Sequence, residues 1–534
     1  MSNYLLLGDE AIAQGALDAG LSGIYAYPGT PSTEIMEYVQ RAKEASGRAV
    51  KSMWSANEKT AMESALGMSY AGKRAMVCMK HVGLNVAADA FMNIAITGVN
   101  GGLLIVVADD PSMHSSQNEQ DSRYYGQFAM IPVLEPSHQQ EAYDMVFYGF
   151  EVSERLGLPV MMRITTRMAH SRTVIHRKPE LAQNELKLPP NARNYVLLPA
   201  NARVRYRHLL DQQKELNRCA AQDGYNRFLP GTDTSLGIIA CGLAYNYLME
   251  HFPSGSCPWP VLRICQYPVP VPMVEQLTSV CSRILVLEEG YPLLEQQLRG
   301  LLPHPSREIL GRLSGAVPRD GELNPRIVGH ALGLPSQTGQ AVPPIVANRP
   351  PAFCNGCGHS DMFKVINEVM EPYGPNHVFG DIGCYTLGFL PPYNTLSSCV
   401  DMGSAVTMAK GAADAGMSPS LGVIGDSTFT HSGMTGLLDL IIDHTPATII
   451  IADNATTGMT GGQESSAFGR LESICLGLGI HPDHLIVLLP LRKHHEENVA
   501  ALKAEVEYAG PSVVIFRREC VQTAARRARS KNQE

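Results

Sequence analysis

Two textures alternate along the first third of the chain: short apolar runs such as GGLLIVVAD (101–109) and Ala-rich stretches such as NEKTAMESALGMSYAG (57–72). Unbroken apolar runs of strand length predict strands buried on both faces, and the Ala-rich segments predict the helices that cover them. From Tyr4 to about Ile175 this rhythm predicts a parallel α/β sheet, giving a first domain over residues 1–175. Residues 176–230 are charged, contain Asn and Pro, and lack a period, so they read as a connection with one helix around HLLDQQKELNRCAA. The α/β pattern resumes with LGIIACG (236–242), PVLRICQYP (260–268) and SRILVLEEG (282–290), a smaller domain over 231–335. A Pro-rich linker, 336–351, leads to a last α/β domain, 352–525. Its strands are HVFGDIG (377–383), SLGVIGDS (420–427), TIIIADN (448–454) and SVVIFRR (512–518). Residues 526–534 read as a frayed polar tail. The fold class is α/β, built of several parallel-sheet domains.

Charge and composition remove some partners. Forty-three Lys and Arg stand against 51 Asp and Glu, a net charge of −8 that gives no reason to expect nucleic acid. The start, MSNYLLLGDEAIAQGALDAG, is not a signal peptide, and no stretch approaches the roughly 20 apolar residues of a membrane span. A cytoplasmic location is expected by default. Twelve cysteines without a secretory signal argue for thiols or metal ligands rather than disulfides. Cys78, Cys219, Cys241, Cys257, Cys265, Cys281, Cys399 and Cys475 read as structural.

The chemistry concentrates at strand ends. SLGVIG runs into Asp426-Ser427 and TIIIAD runs into Asn454, placing both side chains at the carboxyl edge of a parallel sheet, where such sheets bind ligands. Gly433–His444, a helical segment between them, would aim its amino terminus at a diphosphate. Magnesium or calcium takes oxygen ligands, which Asp426, Asn454 and the carbonyl of Thr456 could supply. Taken singly, Asp426 could equally cap a helix and Asn454 make a turn. Glu58 opens the Ala-rich helix, as a cofactor-activating acid or as a charge favoured at a helix start. Cys354 and Cys357 form Cys-Asn-Gly-Cys-Gly-His, and Cys384 and Cys520 each follow a strand. A lone CxxC is compatible with a zinc half-site or a redox pair.

The GDS…DN pattern, Gly425-Asp426-Ser427 to Asn454, resembles the diphosphate signature of thiamine enzymes. Its sequel, Gly458-Met459-Thr460-Gly461-Gly462-Gln463, resembles the 2-oxoacid:ferredoxin oxidoreductases. YPGTPSTEI (27–35), NEKTAME (57–63), KHVGLN (80–85), SSQNEQDSRYYG (115–126) and VLEEGYPLLEQQLR (286–299) are similar to the indolepyruvate ferredoxin oxidoreductase alpha subunit. The resemblance implies two thiamine-diphosphate-binding folds, for the pyrimidine and the diphosphate, flanking a transketolase-C-like domain. It implies thiamine diphosphate with Mg2+ on Asp426, Asn454 and Thr456, and Gly383, Gly425, Ser427, Gly458, Met459 and Thr460 around the cofactor. It sets Glu58 as the activating acid and Thr30 against the substrate. Arg123 becomes a candidate for the substrate carboxylate, and His81 and His431 candidates for the cleft. Cys354, Cys357, Cys384 and Cys520 would hold a [4Fe–4S] cluster, although Asn355 stands where the family has Pro.

The expected reaction is oxidative decarboxylation of an aryl, indolepyruvate-like 2-oxo acid to the acyl-coenzyme A. The expected partners are a small beta subunit, in a hetero-oligomer with a self-paired alpha subunit, and a ferredoxin or other iron–sulfur or flavin acceptor. The sequence ends at Glu534 where the family usually continues into a ferredoxin-like domain, so that acceptor is expected to be separate. The rivals are a non-oxidative thiamine-dependent decarboxylase or carboligase, and a non-catalytic subunit that keeps the fold.

Overall fold

The computed structural model describes residues 3–253, 255–301, 306–335, 339–347 and 349–531. They form two compact units, Met1–Gln340 and Ala341–Glu534.

The first unit is built on a seven-stranded sheet. Its strand order is Gln266–Tyr267, Val133–Leu134, Val160–Thr165, Leu103–Asp109, Ala75–Lys80, Gly23–Ala26 and Lys51–Trp54. All pairings are parallel except that of Gln266–Tyr267, which adds antiparallel to one edge. Ala75–Lys80 and Leu103–Asp109 are buried along their whole length, as strands covered on both faces must be. A ribbon of Asn3–Leu7 and Arg172–His176 lies apart from the sheet. A five-stranded sheet runs Glu308–Leu310, Arg283–Leu287, Gly237–Cys241, Val261–Ile264, Arg227–Leu229.

Three expectations change here. The run PVLRICQYP is two strands, Val261–Ile264 in the smaller sheet and Gln266–Tyr267 in the larger, so this segment stitches the two sheets together. The connection 176–230 carries the helix Pro199–Gln222 and ends in a strand of the smaller sheet, Arg227–Leu229. Residues that the pattern divides into separate domains therefore pack as one unit.

The second unit carries an all-parallel sheet in the order Val378–Gly380, Leu421–Gly425, Thr448–Asp453, Ser512–Arg517, Leu485–Leu488. Strand side chains alternate between faces. Val423, Ile450, Val514 and Phe516 pack with Met362, Phe363 and Ile366 of the helix Gly358–Met370. Ile424, Ile449, Ile451 and Ile515 pack on the opposite side with Leu437 and Leu440 of the helix Met434–Ile442. Of the linker 336–351, residues 336–338 and 348 lie outside the described residues. The tail departs from expectation. Val521–Lys531 is a helix, because Ala and Arg favour helix and the Ala524 N–H donates to the Cys520 carbonyl; only 532–534 lie outside the described residues. No helix of the described residues is long and apolar enough to cross a membrane.

Candidate active site

In the first unit, three neighbouring parallel strands deliver the predicted residues to one sheet edge. Lys51–Trp54 leads to Glu58, Gly23–Ala26 leads to the turn holding Thr30, and Ala75–Lys80 leads directly to His81. Asn57 caps the helix Glu58–Tyr70, its side chain accepting from the Thr60 N–H at 2.9 Å, which makes Glu58 the first helical residue. Glu58 is only 5% exposed. A Cβ at Gly83 would lie 2.5 Å from its Oε1, so the helix His81–Val86 can rest on this carboxylate only because residue 83 has no side chain. His81 is buried, with Nε2 3.2 Å from Asn118 Oδ1; its Nδ1 has no hydrogen-bond partner among the described residues.

Lys80, unremarked in the sequence, belongs to this edge. It is buried at the end of an apolar strand, and desolvation pushes its ammonium down to about 8. It donates to the Ser115 carbonyl, and the Ser115 hydroxyl donates to the Thr30 carbonyl at 3.3 Å, so Lys80 buttresses the Thr30 turn through Ser115. A cation closing the run AMVCMK was the available signal.

Arg123 is not where a substrate carboxylate could use it. It is 1% exposed, and its Nε donates to Asp121 at 3.0 Å. Nη1 reaches Glu288 at 3.0 Å and the Tyr267 hydroxyl at 3.1 Å, and Nη2 donates to the carbonyls of Glu289 and Tyr291 at 3.0 Å. With Arg163, whose Nε pairs with Asp109 at 2.7 Å, it forms a buried ionic network joining the two sheets of this unit. The donors of this candidate substrate-binding arginine are thus all taken up by partners within the fold.

In the second unit, Asp426 follows the strand Leu421–Gly425 and begins a helix at once. The expected helix Gly433–His444 thus starts seven residues earlier; Gly433 lies within a π turn, Phe429–Gly433, that continues into Met434–Ile442. The first-turn backbone N–H groups of this helix therefore lie at Asp426–Thr428. Such π turns recur at functional sites. Asp426 is 3% exposed and its Oδ2 has no hydrogen-bond partner among the described residues. Burial, with Asp453 nearby, pushes its carboxyl up to about 7.

Asn454 follows the adjacent strand, Thr448–Asp453, and its Oδ1 accepts from the Thr456 N–H at 3.1 Å, turning the chain back. The Thr457 hydroxyl donates to Ser427 Oγ at 3.1 Å, tying the Asn454 loop to the Asp426 turn. A buried carboxylate oxygen without a partner among the described residues and an amide oxygen, at the ends of neighbouring strands, are donors of the kind a hard cation takes, so the residues fit a magnesium ion. Met459 and Thr460 lie on the turn Gly458–Thr460, with Met459 exposed. His431 is buried within the π turn, its Nδ1 2.6 Å from the Ser432 hydroxyl.

Gly383 and Gly425 also have a packing reason. A Cβ at either would strike the Tyr385 ring, at 2.3 and 2.7 Å. That ring lies between them, and its hydroxyl donates to Asp381. Asp381, not expected from the sequence, follows the strand beside that of Asp426. The repeated Gly-Asp at two strand ends was the signal.

Cys354, Cys357, Cys384 and Cys520 line one cavity of about 140 Å³, which Asn454 also borders. Cys384 is pushed up to about 12 by burial and by the neighbouring thiols. A Cβ at Gly458 would lie 3.1 Å from Cys384 Sγ, so the Asn454 loop touches the thiol cavity.

Residues 14–207 match the family model described as pyruvate flavodoxin/ferredoxin oxidoreductase, thiamine diP-bdg, and residues 381–516 that described as thiamine pyrophosphate enzyme, C-terminal TPP binding domain. The indolepyruvate oxidoreductase subunit IorA of Archaeoglobus fulgidus is 38% identical, over 96% of this chain and 86% of the relative. The chain belongs to the IorA family of indolepyruvate oxidoreductase subunits. IorA of Pyrococcus abyssi is 37% identical over 97% of this chain and 85% of its own. A solved 2-oxoglutarate:ferredoxin oxidoreductase from Magnetococcus marinus, with 2-oxoglutarate, coenzyme A and succinyl-CoA bound, covers 58% of this chain and 62% of its own at 18% identity and a TM-score of 0.46. Membership of the IorA family makes this chain a thiamine-dependent 2-oxoacid oxidoreductase subunit.

Proposed function

We propose that the chain is the thiamine-bearing subunit of an enzyme that oxidatively decarboxylates an aryl 2-oxo acid to its coenzyme A thioester. The buried Asp426 Oδ2, unpartnered among the described residues and in the same unit as a four-cysteine cavity that Asn454 borders, is the observation that supports this reading. Thiamine diphosphate, when bound, supplies the carbanion chemistry that releases carbon dioxide. Asp426, the Asn454 amide oxygen and the Thr456 carbonyl would hold Mg2+, and the N–H groups of the turn at Asp426–Thr428 would meet the diphosphate. Glu58, buried under Gly83, would hold a proton against the pyrimidine ring nitrogen and make the cofactor's own amine the base. Thr30, fixed by Ser115 and Lys80, faces the substrate in this scheme.

Cys354, Cys357, Cys384 and Cys520 around one cavity are four thiolates, the usual ligand set of a [4Fe–4S] cluster, and the reading assigns them that role. Electrons would pass from the cluster to an iron–sulfur or flavin acceptor, with a small second subunit completing a hetero-oligomer that binds coenzyme A.

The test is anaerobic purification with that second subunit, then iron and sulfide analysis and turnover of indolepyruvate, other aryl 2-oxo acids, pyruvate and 2-oxoglutarate. Roughly four irons and four sulfides per chain, with coenzyme A-dependent acceptor reduction, are expected. Iron-free protein that still releases carbon dioxide would replace this reading with a non-oxidative decarboxylase.

A further inference from the structure

Away from the sheet edge, three elements of the first unit converge on one point. Asp9 lies in the helix Gly8–Asp18, Glu34 in Thr33–Ser46, and His170 ends Thr166–His170. One donor atom from each lies within 4.8 Å of the other two. Asp9 is 0% exposed, and neither of its carboxylate oxygens has a hydrogen-bond partner among the described residues. Glu34 Oε2 is likewise buried and unpartnered, while Glu34 Oε1 lies 3.7 Å from His170 Nε2. A Cβ at Gly8 would fall 2.0 Å from the Met168 carbonyl, so only glycine lets the His170 segment lie on the start of Asp9's helix.

One oxygen from each carboxylate and one imidazole nitrogen come together here, and three of the carboxylate oxygens lack partners among the described residues. A single proton shared by Asp9 and Glu34 would join one oxygen of each. A divalent cation would take an oxygen from each and the imidazole as well, neutralising two carboxylates that burial disfavours as anions. We propose that Asp9, Glu34 and His170 form a structural site for a divalent cation of the zinc class. Mixed imidazole and carboxylate donors suit zinc, manganese(II), iron(II) or cobalt(II) and are poor for magnesium or calcium, which take oxygen. With bonds of about 2.0–2.2 Å, such an ion would draw the donors together by a small side-chain adjustment. Glu34 follows Thr30 by four residues, so the ion would pin the helix that carries the Thr30 turn to its two neighbours. The site stands independently of the thiamine reading.

Cobalt(II) discriminates this site from the cysteines, because thiolate ligation adds strong near-ultraviolet charge transfer that nitrogen and oxygen ligation lacks. The purified full-length complex, stripped by chelator, is titrated with cobalt(II) alongside Asp9→Asn and His170→Ala, the latter a half-exposed side chain whose removal leaves the core intact. The parent should bind one more equivalent than either variant, with weak visible bands and no added charge transfer, and zinc should displace it. Zinc at a hundredfold above its Kd should raise the folded-to-unfolded ratio about 100-fold in the parent alone. Equal cobalt uptake by parent and His170→Ala, or an extra equivalent carrying thiolate charge transfer, would overturn the proposal and leave a shared proton between Asp9 and Glu34.

Discussion

Asp381 and Asp426 end neighbouring strands, and burial pushes both carboxyls up to about 7, yet they differ in what they meet. Asp381 accepts from the Gly403 N–H at 2.9 Å, the Ala405 N–H at 3.3 Å and the Tyr385 hydroxyl; Asp426 Oδ2 has none of these. The first is satisfied within the sheet edge, and the second keeps one oxygen without a partner among the described residues. Because the folded pKa of Asp381 is raised above its ordinary value near 3.8, its contribution is fully present below about pH 4 and is lost as pH rises through 7. Urea unfolding at pH 5 and pH 8 should therefore show Asp381→Asn with a shallower decline than the parent; an unchanged slope would count against this. Arg123→Met should destabilise by about 3–5 kcal/mol, because Asp121 and Glu288 stay buried without their cation. The surviving enzyme should keep its KM for the 2-oxo acid, and a selective KM rise would restore Arg123 to the substrate. Strand ends singled out Asp426 and Asn454 in the sequence, and the family resemblance singled out Glu58. The fate of Arg123 was not legible there, because its partners Tyr267 and Glu288 lie more than a hundred residues away and only the fold brings them to it.

Fully apolar strands such as TIIIAD announce themselves, since burial on both faces leaves them no polar position to vary. The helix that begins at Asp426 did not. Its opening, Asp-Ser-Thr-Phe-Thr-His-Ser, contains few strong helix formers, and packing at the sheet edge overrides that local preference. The two-residue strand Gln266–Tyr267 was also hidden, because nothing local shows an apolar run changing sheets at Cys265. Contact between helices supplies the next expectation. Gly83→Ala should push the Glu58 carboxylate aside, since the added carbon would lie 2.5 Å from it. Overpacking of this kind costs about 1–3 kcal/mol. Hydrogen–deuterium exchange at thiamine C2 should slow in Gly83→Ala and vanish in Glu58→Gln, with cofactor affinity largely kept in the latter. Normal exchange in Glu58→Gln would remove that carboxylate from the scheme.

The two units keep separate hydrophobic cores, and the segment between them, residues 339–347, is exposed where it is described. Limited proteolysis should therefore cut there first, giving fragments that divide near Gln340. Arg123→Met should lower only the thermal transition of the first, and Asp381→Asn should alter only that of the second; a single concerted shift in either variant would argue for one cooperative molecule. The division near Gln340 falls in the Pro-rich stretch, and the sheets on its amino-terminal side share one unit through edge contacts that leave no mark in local periodicity. One small contact has reach beyond stability. Electron tunnelling weakens exponentially with distance, and Gly458 brings the backbone of the Asn454 loop against the Cys384 sulfur with no side chain between them. On the proposed reading, that missing methyl group is a matter of conductance: any larger residue at 458 would widen the gap an electron must cross, slowing acceptor reduction while leaving the carbon dioxide released in the first turnover untouched.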